Sequence, residues 1–186
     1  MEGGLVEIYT GNGKGKTTAA IGLAIRAAGW GMNVAIVHFM KVGGYGESRA
    51  VRRFKNITER FYGFPYFITM NKNFSGPSVL VYEPGKPPAE YVRKIMNGFK
   101  WVRRALNSGR YDVIILDELI TAIYLGLIDE KIVLELVNAK PRRSELVITG
   151  RYASQELIDS ADLVTEMKEV KHPYSAGVAA RKGIEF

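Results

Sequence analysis

The sequence predicts an α/β fold with a mainly parallel sheet, on three observations. Short, nearly continuous runs of β-branched and aliphatic residues recur along the chain, as strands covered on both faces require. Helical periodicity fills the intervals, so strand and helix alternate. A turn rich in glycine and lysine joins the first apolar run to the first helical one, and open parallel sheets carry their ligand loops at such turns.

The first run, Leu5–Tyr9, is read as a strand. The segment Thr17–Ala28 that follows the turn predicts a helix with Ile21, Ala24, Ile25 and Ala28 on one side, stopped by Gly29 and Gly31. Its alanines permit close approach to a sheet. Val34–Phe39 is a second strand, apolar almost throughout. Between Gly43 and Lys86 the pattern weakens and glycine, proline and aromatics accumulate, so this stretch is read as irregular. The clearest helix spans Ala89–Asn107, with Val92, Ile95, Met96, Phe99, Val102 and Leu106 at spacings of three or four and Gly109 as terminator. Val113–Leu116, Leu146–Thr149 and Leu163–Met167 complete the strands.

At 186 residues the chain is read as one domain, 1–186, large enough to bury a proper core. It shows no secretory leader and no apolar run that could cross a bilayer, which predicts a cytoplasmic protein with no membrane partner. It has no cysteine, which excludes disulfides, thiolate metal sites and thiol redox chemistry. Any electrons the chemistry needs must come from another molecule. The formal net charge of +7 suits an anionic ligand or a nucleic acid. Pairs such as Arg52-Arg53, Arg103-Arg104 and Arg142-Arg143 read either as phosphate grips or as solvated helix surface.

The turn itself is "TGNGKGKTT", Thr10 to Thr18. Its backbone N–H groups and the following helix N-terminus form an anion site. In such a loop Lys16 would lie against phosphates and the Thr17 hydroxyl would coordinate Mg²⁺; a Gly-Lys-rich surface turn is the structural alternative. The customary glycine five places before Gly15 is replaced by Thr10, which reads either as a damaged triphosphate loop or as one shaped for different chemistry. The partner strand is "YDVIILDEL": after Val113–Leu116, Asp117 and Glu118 emerge at the carboxyl edge, where a carboxylate can hold Mg²⁺. An Asp capping the next helix is the structural alternative. At a third strand end, Arg151 of "ELVITGR" could grip phosphate or form a structural salt bridge. Together these parts predict a P-loop NTPase-like (RecA-like), three-layer α/β/α domain that binds a nucleotide and Mg²⁺.

The stretches "TGNGKGKTTAAIGLAIRAAGWG", "VIILDEL", "ELVITGR", "ADLVTEM" and "KHPYSAGVAARKGIEF", in this order, resemble the P-loop ATP:corrinoid adenosyltransferases of cobalamin biosynthesis, from Thr10 to Phe186. The resemblance implies transfer of the 5′-deoxyadenosyl group of ATP to the Co(I) of a reduced corrinoid, such as cobalamin or cobinamide, with release of triphosphate. It implies that Gly11, Asn12, Gly13, Lys14, Gly15, Lys16, Thr17 and Thr18, with Arg151, bind ATP; that Lys16, Thr17 and Glu118 are catalytic; and that Thr17, Asp117 and Glu118 hold the metal. Co(I) is a strong nucleophile, so no general base is needed. The resemblance also implies an aromatic pair beneath the cobalt, to which "GFPYF" offers Phe64 and Tyr66, with Tyr62 and Phe67 as alternatives and aromatic core packing as the structural one. A C-terminal segment, residues 168–186, is expected to fold over the site. Lys41 of "FMKVGGYGE" would meet corrinoid or phosphate, or lie on a plain surface loop. The expected partners are the corrinoid, an electron-donating reductase of the flavoprotein type and a second copy of the chain, with no nucleic acid.

Two other classes share these parts. One is a RecA-like, nucleic-acid-dependent ATPase; the other is a nucleotide-gated regulatory protein. The first is opposed by the short chain and the lack of a helix-turn-helix or zinc finger. Released triphosphate, ADP with phosphate, or neither would distinguish the three.

Overall fold

A computed structural model describes residues 3–173 and 177–185. Tyr174, Ser175 and Ala176 of the C-terminal motif, and its last residue Phe186, lie outside the described residues. The chain runs β1 (Val6–Thr10), α1 (Lys16–Gly29), β2 (Val34–Phe39), α2 (Gly46–Val51), β3 (Ile57–Tyr62), β4 (Phe67–Thr69), β5 (Val79–Val81), α3 (Ala89–Ser108), β6 (Val113–Asp117), α4 (Leu119–Tyr124), α5 (Glu130–Asn138), β7 (Glu145–Thr149), α6 (Gln155–Asp159) and β8 (Leu163–Glu166). Among the described residues no helix is long and apolar enough to cross a membrane.

Six strands form one sheet in the order β3-β2-β6-β7-β1-β8, and every pairing in it is parallel. All carboxyl ends therefore meet at one edge, and the glycine-rich loop leaves β1 at that edge. The apolar runs are continuous because both faces are covered. Along β2, Ala35, Val37 and Phe39 join the core beneath α3, α4 and α5, whereas Val34 and Ile36 join the core beneath α1. The same alternation sends Ile114, Leu116, Leu146 and Ile148 to the first face and Val113, Ile115 and Val147 to the second. Each such aliphatic side chain contributes about 1.5–3 kcal/mol when fully buried.

That period of two also positions the polar strand ends. His38, Asp117 and Thr149 follow Ile36, Ile115 and Val147 by two residues, so all three face α1 at the carboxyl edge.

α1 meets the sheet with Ala20, Ile21, Ala24, Ala27 and Ala28, while Ile25, expected on this face, is exposed. Gly109 ends α3 in the left-handed conformation at φ 65°. The stretch read as irregular contains more order than expected: the short helix α2, the edge strand β3, and a separate parallel pair formed by β4 and β5.

Candidate active site at the carboxyl edge of the sheet

The loop between β1 and α1 has its bends at Gly11 (φ 95°) and Gly15 (φ 123°). Gly11 also lies so near β8's continuation that a Cβ would sit 2.5 Å from the Met167 carbonyl oxygen. Thr10, in place of the customary glycine, is buried at the end of β1, and its hydroxyl accepts from the Ala153 N–H at 3.4 Å. It ties the loop's base to the segment after β7. Gly15 is the N-cap of α1 and offers no side chain, and the first turn holds no acidic residue, so the helix start presents unneutralised N–H groups.

Lys16 is buried and donates to the Gly11 and Gly13 carbonyl oxygens at 2.6 and 2.8 Å. Burial, with repulsion from Arg151, lowers its pKa.

Asp117 is the hub. Its Oδ1 accepts from the hydroxyls of Thr17 and Thr149, both at 2.8 Å. Its Oδ2 meets His38 Nδ1 at 2.8 Å and Lys41 Nζ at 2.7 Å. Burial alone would raise the Asp117 pKa, but the Lys41 charge and the His38 bond hold the carboxyl far below its usual range. The other His38 nitrogen, Nε2, lies 3.1 Å from Glu59 Oε1, and its ring stacks on Phe61 at 4.8 Å. Burial opposes a charge on His38, yet the bonds to Asp117 and Glu59 prevail and raise its pKa. Lys41 follows the same logic: desolvation pulls its pKa down, and Asp117 and Glu118 more than restore it.

Glu118 takes the left-handed conformation (φ 62°) as the N-cap residue of α4, so the cap is Glu118 and not Asp117. Its N–H donates to Thr149 Oγ1 at 3.1 Å, and its carboxylate accepts from the Thr121 hydroxyl at 2.7 Å.

Two cavities open beside this cluster. One, of about 310 Å³, is lined by residues 13–18 of the loop together with Lys41, Glu118, Arg151 and the tail residues His172, Ile184 and Glu185. Lys14 Nζ reaches the Ile184 carbonyl at 2.9 Å and pairs with Glu185 at 3.2 Å. The second, of about 600 Å³, carries Tyr45, Phe67, Phe74, Tyr124 and Tyr152 on its walls. Lys41, Glu118 and Arg151 line both, so the two chambers adjoin.

Residues 2–186 match the protein family described as ATP:corrinoid adenosyltransferase BtuR/CobO/CobP. The chain belongs to this family. It is 33% identical to a corrinoid adenosyltransferase of Pseudomonas aeruginosa over 186 residues, spanning the whole chain and 85% of that relative. To the corrinoid adenosyltransferase CobA of Salmonella typhimurium it is 33% identical, covering the whole chain and 87% of the relative. To the one of Escherichia coli K12 it is 31% identical with the same coverage.

Of the residues singled out in the sequence, Gly13 to Thr18, Glu118 and Arg151 come together around one chamber. Asp117 lies behind them, bonded to Thr17. Gly11 and Asn12 belong to the loop without lining that chamber, and Asn12 is exposed. Among the described residues Arg151 makes no ion pair. Phe64 and Tyr66 stack on each other at 5.4 Å and pack on Tyr91 of α3, next to Phe67 of the larger chamber's wall but not themselves lining it. Lys94 covers Phe64, and the Tyr66 hydroxyl donates to Glu90 at 2.8 Å. Sequence reasoning passed over His38, Glu59 and Thr149 as site components. For His38 and Thr149 the available signal was a polar residue two places beyond a buried aliphatic near a strand end; Glu59, in the middle of β3, carried no such signal.

Proposed function

We propose that this chain transfers the 5′-deoxyadenosyl group of ATP to the Co(I) centre of a reduced corrinoid and releases triphosphate. One observation carries the reading: a cationic chamber built on the phosphate loop adjoins a larger aromatic-walled chamber, with Lys41, Glu118 and Arg151 at the junction. The first suits a triphosphate and the second an adenosyl group approached by a flat macrocycle. Cobalt attacks C5′, the C5′–O5′ bond breaks, and its electron pair stays on O5′ of the departing triphosphate. The leaving group therefore gains charge where the two chambers meet. Lys14, Lys16 and Arg151, with the N–H groups at the start of α1, offset that charge. No proton must be abstracted, in keeping with a site whose buried histidine is committed to two carboxylates.

Thr17, Asp117 and Glu118 would hold Mg²⁺, which supplies further neutralisation of the triphosphate. The residues fit such an ion: Lys41 already places a positive charge against the oxygens of Thr17 and Asp117. Among the described residues no group of three or more acidic, histidine or cysteine side chains forms a cage. An ion shared between one or two carboxylates and the nucleotide is the usual arrangement for magnesium.

The C-terminal segment acts as a cover over the phosphate chamber, and Phe64 and Tyr66 serve the corrinoid's lower face. A cysteine-free chain needs an external electron donor, for which a flavoprotein-type reductase is proposed, with a cytoplasmic homodimer as the working form.

The test is anaerobic incubation with ATP, Mg²⁺ and chemically reduced corrinoid, following the visible spectrum of the alkylated product and assaying triphosphate. Triphosphate equimolar with adenosylated corrinoid is expected; ADP and phosphate would overturn the reading. Lys16→Ala should lower kcat/KM for ATP about a hundredfold or more, as loss of ~2–4 kcal/mol of charge-assisted contact to the leaving group implies.

A further inference from the structure

We propose that Lys41 and the divalent metal compete for the same two oxygens, so that Lys41 must swing from Asp117 and Thr17 onto the nucleotide whenever metal and ATP load together. This rests on the adenosyltransferase reading of the site and adds to it the order of events at Asp117.

An ionised carboxylate has about four acceptor positions. Those of Asp117 are filled: Thr17 and Thr149 on Oδ1, His38 and Lys41 on Oδ2. A metal ligated by Asp117 must displace one of these donors. Thr149 is fully buried on β7. His38 is 1% exposed, stacked on Phe61 and tethered at its far nitrogen to Glu59. The Thr17 hydroxyl can stay, because its oxygen can turn to the metal. Lys41 is the exception. Its side chain is 19% exposed, and it follows β2 on a loop that bends at Gly43 and Gly44, both at positive φ.

The ammonium stands 2.7 Å from Asp117 Oδ2 and 3.1 Å from Thr17 Oγ1. Magnesium binds its oxygens at about 2.0–2.1 Å. Both cations cannot share these atoms, on steric grounds and because like charges repel. The departing ammonium has a destination, since Lys41 lines the phosphate chamber as well as the aromatic one. In the loaded protein its charge joins the triphosphate at the end nearest the aromatic chamber.

Lys41 thus makes metal and nucleotide binding mutually dependent. Metal alone must break the Lys41–Asp117 pair with no anion to receive the ammonium. Metal with ATP supplies that anion.

The test is Mn²⁺ binding to the full chain, followed by electron paramagnetic resonance, with and without ATP. Lys41→Met should bind Mn²⁺ alone about tenfold or more tighter than wild type, and ATP should then enhance Mn²⁺ binding less than it does in wild type. Lys41→Gln keeps a donor for Asp117 without the charge and should behave the same way if the Met variant does not fold. Lys41→Arg keeps the charge and should retain weak Mn²⁺ binding. Unchanged or weaker Mn²⁺ affinity in a folded Lys41→Met or Lys41→Gln protein would overturn the competition. Asp117→Asn separates the two readings. If it abolishes Mn²⁺·ATP binding while the Lys41 variants match wild type, the competition fails and the metal site stands. If Mn²⁺·ATP binding survives it unchanged, the assignment of Asp117 to the metal fails, and the competition with it.

Discussion

The Thr149 hydroxyl makes two bonds at the centre of the site, donating to Asp117 Oδ1 at 2.8 Å and accepting from the Glu118 N–H at 3.1 Å. The residue and its Asp117 partner are buried, so no water can take the hydroxyl's place on that carboxylate. Thr149→Val keeps the shape and removes both bonds, leaving the buried Asp117 carboxylate short of a donor and the half-buried Glu118 N–H without an acceptor. Such a loss costs about 1–3 kcal/mol, and the denaturation midpoint should fall accordingly. The Mg²⁺ concentration for half-maximal activity should rise too, because Asp117 and the left-handed Glu118 both lose an anchor. A midpoint within error of wild type would show that the hydroxyl is dispensable. From the sequence Thr149 could be put at the sheet's carboxyl edge, but the carboxylate it bonds lies 32 residues away on another strand. Sequence spacing carries no information on which strands become neighbours.

α3 and β3 show what happens where elements must touch. Gly98 sits mid-helix, where alanine would be favoured by about 1 kcal/mol on propensity alone. A Cβ there would lie 2.7 Å from Cγ and Cδ2 of Tyr62 on β3 and 3.0 Å from Phe39 on β2. Those are atoms near the root of a packed ring, which cannot swing aside. Overpacking of this kind costs about 1–3 kcal/mol, so Gly98→Ala should lower the melting temperature despite its better propensity. A higher melting temperature would mean that α3 stands further from the sheet. Helix α3 was legible because its apolar stripe is long and regular. β3 was not, because "ITERFY" puts Glu59 and Arg60 in the middle of a strand. Both charges have tertiary reasons: Glu59 meets His38, and Arg60 lies 5.9 Å over the Trp101 ring of α3. β4 and β5 are three residues each, too short to show a period.

At the scale of the whole molecule, the two aromatic groups of the irregular middle should separate by function. Phe67 and Phe74 are 54% and 47% exposed on the wall of the larger chamber. Phe67→Ala and Phe74→Ala should raise KM for the corrinoid with little change in melting temperature. Phe64 and Tyr66 instead stack beside Tyr91. If they also displace the corrinoid's lower ligand, Phe64→Ala and Tyr66→Ala should slow adenosylation strongly when a weak reductant must convert Co(II), and much less when Co(I) is supplied chemically. A change of ~1.4 kcal/mol in ligand displacement alters the reducible population about tenfold. ATP affinity should hardly move. Equal losses with both reductants, together with weaker ATP binding, would assign these two rings to packing alone.

By itself the sequence determined the parts whose causes are local. Glycines and the GKT ending specify a tight loop that bends at Gly11 and Gly15 into a helix start, and continuous aliphatic runs specify strands covered on both sides. A three-to-four spacing specifies α3, and Gly109 stops it in a conformation other residues resist. The family, too, was legible, because its motifs lie along the whole chain. Only the tertiary structure decided that β6 lies between β2 and β7, and hence that Asp117 faces Thr17 across 100 residues of sequence. It alone paired Lys41 with Asp117 and committed His38 to two carboxylates. It also set Phe64 and Tyr66 against α3, with Phe67 and Phe74 on the chamber wall. The reason is physical: backbone sterics and periodicity act over a few residues, whereas strand order and side-chain pairing come from packing both faces of the sheet at once.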